Sequence, residues 1–349
     1  MADRAQLSVG QAREVATGLF EVVGVPARPA AETARALVLA DSWGTHSHGL
    51  MRLPHYLLRL QAGGVNAAAT LETVGDRGPV LSLDGQDGLG HWQLWDAAGL
   101  AAERARRYGL AAVSVGNSSH CGALGVYTLP PLSAGLACLV FSNGPAVMPP
   151  WGGARPLLST SPIAAGIPCR PRPAIVDLAT SAVARGRIAE RANRNETIPE
   201  GWALDAHGAP TTDPAAAMAG MLAPLGGAKG YSLAFMIEAL TGGMVGPALS
   251  QDVADMFDPD AADRPQRISH LVVALDPSAF GVAGGGGDRL DDLARRVEAA
   301  GGRVPGSRRR QPEEIDDAEP LNLAPATVAA VAAWAERLGV AGVLPAAGS

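Results

Sequence analysis

Apolar residues near the start of the chain recur with helical spacing. Ser8-x-x-Gln11 matches a capping box, in which two side chains satisfy each other's free backbone donors. It opens an apolar-periodic segment over 9–23 that Gly24 and Pro26 stop. A second helix is predicted over 30–42. Pro54 suits the first turn of a third, which Gly63-Gly64 ends. Extended back by one turn, that helix would put His48, Arg52 and Tyr56 on one face, although Pro54 opposes the extension. Residues 65–84 read as irregular with short strands, and a helix over 92–108 follows Gly88-Leu89-Gly90. Short apolar runs bounded by turn residues then predict buried strands at 110–115, 136–141, 163–168, 174–179 and 271–275. Thr180-Ser181 is read as the start of a helix whose tail is 185–194, and His207 as a hairpin residue. An apolar helix follows Gly230, a charged one covers 288–300, and a last one starts at Pro325. The 281–287 glycine run reads as a flexible loop. No internal repeat is present, and the class is α/β.

Composition narrows the function. The chain has 349 residues and a core of Ala, Leu and Val, since aromatics make up only 4%. A net charge of −6 and the absence of a long basic run argue against nucleic acid. No apolar run reaches the roughly 18 residues a membrane helix needs. The N-terminus does not read as a signal peptide. Cys121, Cys138 and Cys169 are odd in number and lack metal-ligand spacing, which fits small buried thiols in a reducing cytoplasm.

Lys229 is the only lysine among 28 basic residues. It lies between Gly227 and Gly230 at a predicted helix N-terminus, a place suited to a cofactor phosphate or a hydroxyl. His48 and Arg52, with Tyr56, suggest a face for binding a carboxylate and moving a proton. His120 follows a strand in a polar, glycine-bounded loop, Gly116 to Gly122, and is a second acid/base candidate. Asp177 at a strand end before Thr180-Ser181 suits contacts to ribose and phosphate, or plain helix capping. Arg308-Arg309-Arg310 would hold a nucleotide phosphate or be solvated. Gly88-Leu89-Gly90 is a decoy: the dinucleotide fingerprint needs a third glycine where Gln93 stands. A standard Rossmann fold is therefore not expected.

Taken in order, these motifs resemble the malate/L-lactate dehydrogenase family of NAD(P)-dependent oxidoreductases, which is unrelated to the Rossmann lactate dehydrogenases. The resemblance runs nearly end to end. It rests on Ser47-His48-Gly49 with Arg52-Leu53-Pro54 and Tyr56, Asn117-Ser118-Ser119-His120 with Gly122 and Tyr127, and Pro150-Trp151-Gly152-Gly153. It continues through Asp177-Leu178-Ala179-Thr180-Ser181, Pro224 to Tyr231, and Pro305-Gly306 with Arg308-Arg309. It implies a non-Rossmann fold with a cofactor lobe and a helical lobe built from both chain ends. The corresponding division is 1–75 helical, 76–120 bridging, 121–310 cofactor-binding and 311–349 returning to the helical lobe. It also implies homodimers.

The same resemblance implies site roles. His48 or His120 is the proton donor, with Ser47 and Lys229 beside the chemistry, and Arg52 and Tyr56 bind the substrate. Asn143, Asp177, Leu178, Ala179, Thr180, Ser181, Ala228, Lys229, Gly306, Ser307 and Arg308 contact NAD or NADP. No metal is implied. Ser307 stands where many members carry an acid, so NADPH is expected to be at least tolerated. The activity implied is interconversion of a 2-hydroxy acid and a 2-oxo acid. Reduction of a cyclic imine carboxylate and a non-catalytic cofactor sensor are the alternatives.

Overall fold

The computed structural model describes residues 7–281 and 286–340. The helices α1 (Val9–Val22), α2 (Ala27–Ser42) and α3 (Leu53–Ala62) come first. Strands β1 (Glu72–Asp76) and β2 (Val80–Asp84) follow, then α4 (Gly90–Tyr108) and β3 (Leu110–Ser118). The short α5 (Leu129–Ser133) precedes β4 (Ala137–Ser142), β5 (Ile163–Ile167) and β6 (Ala174–Leu178). Then come α6 (Arg185–Asn193), β7 (Ala203–Leu204), β8 (Pro210–Thr211), α7 (Pro214–Ala219) and β9 (Met221–Leu222). The chain continues with α8 (Ala228–Glu238), β10 (Ile268–Leu275), α9 (Gly286–Ala299) and α10 (Pro325–Arg337).

One seven-stranded sheet organises the protein, in the order β1-β2-β3-β10-β4-β5-β6. Only β2 and β3 run parallel, across the crossover helix α4; the other neighbours are antiparallel. Strand alternation serves two cores. Ala111, Val113 and Val115 of β3 face the alanine-rich side of α4, while Phe141 and Leu271 face Ile237 of α8. The absence of a doubly wound parallel sheet agrees with the failed glycine fingerprint.

A separate apolar core joins α1, α2 and α3 to Leu321 and to Val331 and Ala335 of α10. The helical lobe is thus built from both chain ends. The Ser8 capping box forms as expected, and Leu37, Leu50, Leu53 and Leu57 are fully buried in this core. Truncating such a leucine to alanine typically costs about 2–5 kcal/mol.

Two local expectations are corrected. The third helix does not reach back to His48: residues His46–His48 and Leu50–Arg52 are separate 3-10 turns, and Gly49 between them is extended, with φ −97° and ψ −146°. Nor does a helix start at Thr180-Ser181. The next one begins at Arg185 with Ala184 as its cap, and both hydroxyls are spent on backbone carbonyls, of Thr160 and Val183. Of the 281–287 glycine run, residues 282–285 lie outside the described residues, as do 1–6 and 341–349.

Candidate active site

The turns over 46–52 are held from below by Asp41 of α2. Its buried carboxylate accepts the Leu50 N–H at 2.7 Å and contacts Nδ1 of His46 at 2.9 Å. A Cβ on Gly49 would stand 2.2 Å from that carboxylate, so only glycine lets the chain cross it. Burial pushes the Asp41 carboxyl up, and the Leu50 and His46 contacts oppose the rise. Sequence reasoning missed Asp41, because a lone acid inside an apolar helix carries no local signal.

Over this support stand the expected residues. Ser47 Oγ lies 2.8 Å from Nδ1 of His48. Arg52 donates from Nε to the Ser47 carbonyl at 2.7 Å, and its guanidinium stacks 4.4 Å from the Phe257 ring centroid. Among the described residues no carboxylate pairs with Arg52, and burial lowers its pKa. Tyr56 is buried, and its hydroxyl lies 2.7 Å from Nδ1 of His120. The His48 and His120 rings stack with centroids 5.9 Å apart. The 46–56 segment and the loop after β3 therefore meet, and the structure unites His48, Arg52, Tyr56 and His120 without the continuous helix.

Behind them lie two histidines that the sequence left unmarked. His91 opens α4 and His270 lies on β10; both are fully buried. Burial, first of all, lowers the pKa of His48 to about 4, His91 to about 3 and His270 to about 4; it also carries His120 well below its ordinary value. At pH 7 all four imidazoles are neutral. A histidine whose native pKa is depressed leaves the unfolded chain binding more protons, so stability falls as pH drops from about 6.5 toward 4. Each group contributes up to about 1.4 kcal/mol per pH unit in that window. The raised carboxyls of Asp41, Asp177 and Glu238 act in the opposite sense. A thermal melt series is expected to show the melting temperature dropping steeply below pH 6; a flat profile from pH 7 to 4.5 would show that the imidazoles protonate freely.

The second region is a cleft of about 590 Å³ lined by Trp43 and by residues 303–309. The turn is pinned to β6 by the Ile175 N–H donating to the Pro305 carbonyl at 2.9 Å. Gly306 has φ +72°, and a Cβ there would meet the Ile175 carbonyl oxygen at 2.5 Å. Arg308 is exposed, whereas Arg310 is committed to Glu319. The Arg309 guanidinium lies over Trp43 and 3.8 Å from Asp177, and its buried Nη1 has no partner among the described residues. An unsatisfied buried donor beside a glycine cradle fits an anionic group such as a nucleotide phosphate.

The other expected cofactor residues are placed as follows. Asp177 Oδ2 accepts the Gly125 N–H at 3.0 Å, so its carboxylate is turned into the protein. The Asn143 amide is used at both ends, donating to Ala248 and accepting from Ser269 N–H, each at 2.9 Å. Leu178 is exposed and Ala179 half-buried. The loop that holds them is tied to the approach to α8 by Leu225 N–H donating to the Thr180 carbonyl at 2.8 Å. Ala228 and Lys229 are exposed in the first turn of α8, after Gly227 with φ +69°.

Comparison with known proteins bears directly on this arrangement. The family model for malate/L-lactate dehydrogenase matches residues 7–332. The chain belongs to this family. A (2R)-3-sulfolactate dehydrogenase (NADP(+)) of Chromohalobacter salexigens is 41% identical over 307 residues, covering 87% of this chain and 90% of the relative. A Δ1-pyrroline-2-carboxylate reductase of Ancylobacter novellus is 34% identical over 90% of this chain and 93% of its own length. Among solved structures, sulfolactate dehydrogenase from Methanocaldococcus jannaschii superposes with a TM-score of 0.86 at 27% identity, covering 96% of this chain and 97% of that one. The Δ1-piperideine-2-carboxylate reductase from Pseudomonas syringae pvar. tomato gives 0.85 at 30% identity, covering 94% and 99%. This malate/L-lactate dehydrogenase family member thus keeps the whole fold of its relatives.

Proposed function

We propose that this enzyme interconverts a 2-hydroxy acid and a 2-oxo acid with NADP or NAD. The observation that carries this reading is an imidazole, His48, hydrogen-bonded to Ser47 and set beside a guanidinium, Arg52, that no carboxylate among the described residues occupies; burial lowers the pKa of both. Arg52 binds the substrate carboxylate through its Nη groups, while Nε stays on the Ser47 carbonyl. His48, oriented by Ser47, takes the hydroxyl proton in oxidation and returns it in reduction. Tyr56 and His120 align the carbon bearing that oxygen. The bound nicotinamide supplies or accepts the hydride.

Of the described residues, those within 121–310 provide the cofactor lobe, those within 1–75 and 311–349 the helical lobe, and 76–120 the bridge between them. The Gly306 turn, Arg308 and Arg309 hold the nucleotide phosphates, Lys229 and Ala228 the nicotinamide end, and the loop 177–181 contributes backbone groups. Asn143 and Asp177 brace these loops from behind. Arg308, Arg309 and Ser307, in place of an acid, favour acceptance of a 2′-phosphate. The NADP(+) dependence of the sulfolactate relative supports the same reading.

The test follows nicotinamide absorbance with NADPH or NADH against pyruvate, oxaloacetate, sulfopyruvate and Δ1-piperideine-2-carboxylate. Turnover of a 2-oxo acid with NADPH is expected. Preference for the imine would favour the reductase reading that the pyrroline- and piperideine-carboxylate relatives support. Activity with NADH alone would refute the role given to Ser307 and the arginines.

The chain is proposed to work as a homodimer in the cytoplasm. Leu233, Phe235, Met236 and Met244 leave an apolar surface on α8 and the turn after it, with Phe235 59% and Met244 64% exposed. Such a patch favours burial against a second copy. Light scattering is expected to give twice the chain mass of 35.5 kDa, falling to that mass in Phe235→Glu; a wild-type monomer would remove the proposal. The three cysteines are buried and unpaired, which supports a reducing compartment. No helix among the described residues is long and apolar enough to cross a membrane.

A further inference from the structure

His91 lies behind the active-site cluster and reaches it only through Tyr56. It is 1% exposed, and neither of its ring nitrogens has a partner among the described residues. An apolar side chain of similar size would avoid that penalty. Its one directional contact is with Tyr56: the rings meet edge-to-face, with centroids 4.7 Å and planes 88° apart. A perpendicular pair of rings, one edge against the other's face, is worth more than area alone. Burial, with His270 and His48 nearby, pushes the His91 pKa down to about 3, so this ring is neutral.

The Tyr56 hydroxyl in turn reaches Nδ1 of His120 at 2.7 Å, and the two rings stack at 6.0 Å. The same Nδ1 accepts the Gly122 N–H at 3.3 Å. A backbone N–H only donates, so this nitrogen presents a lone pair. Neutral His120 therefore carries its proton on Nε2, and the Tyr56 hydroxyl donates to Nδ1 as well.

We propose that His91 is a positioning residue: packed edge-on against Tyr56, it aims the phenol hydroxyl at His120 Nδ1 and so holds His120 as the Nε2–H tautomer. This rests on the reading that His120 belongs to the active site. His120 then acts as a neutral hydrogen-bond donor, and proton transfer falls to His48.

The test uses the full-length protein labelled with 15N-histidine. Wild type is expected to show a protonated Nε2 and an unprotonated Nδ1 on His120. In His91→Leu only the longer Gly122 contact, at 3.3 Å, is left on Nδ1, and the His120 signals are expected to shift toward those of a tautomer mixture. kcat should fall about tenfold, with KM and NADPH binding little changed. His91→Phe, which keeps an aromatic edge on Tyr56, should restore most of both. A proton on Nδ1 in wild type would overturn the proposal, as would an unaltered tautomer and kcat in His91→Leu. Should His91→Leu fail to fold, His91→Phe decides: near-wild-type kcat and tautomer support the proposal, and a large loss of kcat with the wild-type spectrum overturns it. Unaltered turnover in His120→Ala would sink the active-site reading alone, since the tautomer measurement does not depend on it.

Discussion

Replacing His48 by alanine is expected to lower kcat by about 10²–10⁴-fold, the usual range for loss of a positioned acid/base group. The NADPH dissociation constant should not move, because His48 lies with Ser47, Arg52 and His120 and not in the Gly306 cleft. The state of the ring adds a direction. Burial and the Arg52 charge hold His48 at about 4 in the free protein. The neutral ring that accepts a hydroxyl proton is therefore already present at pH 7. The kcat/KM for hydroxy-acid oxidation should stay flat from neutrality down to about pH 6, below which the falling stability of the fold sets the limit. In the reductive direction the ring must first be protonated, which an anionic substrate beside it favours by opposing the lowering by Arg52. Steady-state rates of His48→Ala in both directions check the assignment; unchanged kcat in either removes His48 from the chemistry.

Arg52→Gln carries the second large effect. The glutamine keeps much of the length but loses the charge, the in-plane pair of Nη donors and the stack on Phe257. Removing one partner of a partly buried charge pair costs about 2–5 kcal/mol, so kcat/KM for a 2-oxo acid should fall by about 10²–10³-fold, mainly through KM. An uncharged methyl ester of the same substrate separates this from general damage. Wild type should handle the ester as poorly as the variant handles the acid, and the variant should lose nothing further on the ester. Equal losses on acid and ester would mean that Arg52 only supports the turn around Ser47, whose carbonyl it also holds at 2.7 Å.

Short-range features of this chain are readable in the sequence itself. The Ser8 capping box, the strand runs, and the glycines around Lys229 depend on residues within a few positions of one another, so local backbone sterics and hydrophobic period specify them. The candidate site was legible to the same extent. Ser47, His48 and Arg52 sit within one pair of turns, and His120 follows directly on a strand. Their motifs, taken in order, were enough to point to the malate/L-lactate dehydrogenase family.

Tertiary structure decided what distance along the chain concealed. Asp41 acts through a crossing at Gly49 that no spacing rule marks. His91 and His270 come from α4 and β10 and reach the site only because those elements pack behind the loop that carries His120. The local partners of the expected cofactor residues were equally hidden: in the fold the Thr180 and Ser181 hydroxyls donate to Thr160 and Val183, the Asn143 amide bridges Ala248 and Ser269, and Asp177 accepts from Gly125. The charge states were the least legible part. A sequence lists seven histidines without saying in which of them burial pushes the pKa down, as it does in His48, His91, His120 and His270. That follows from desolvation, a property of how completely the sheet, α4 and the 46–56 segment close around them.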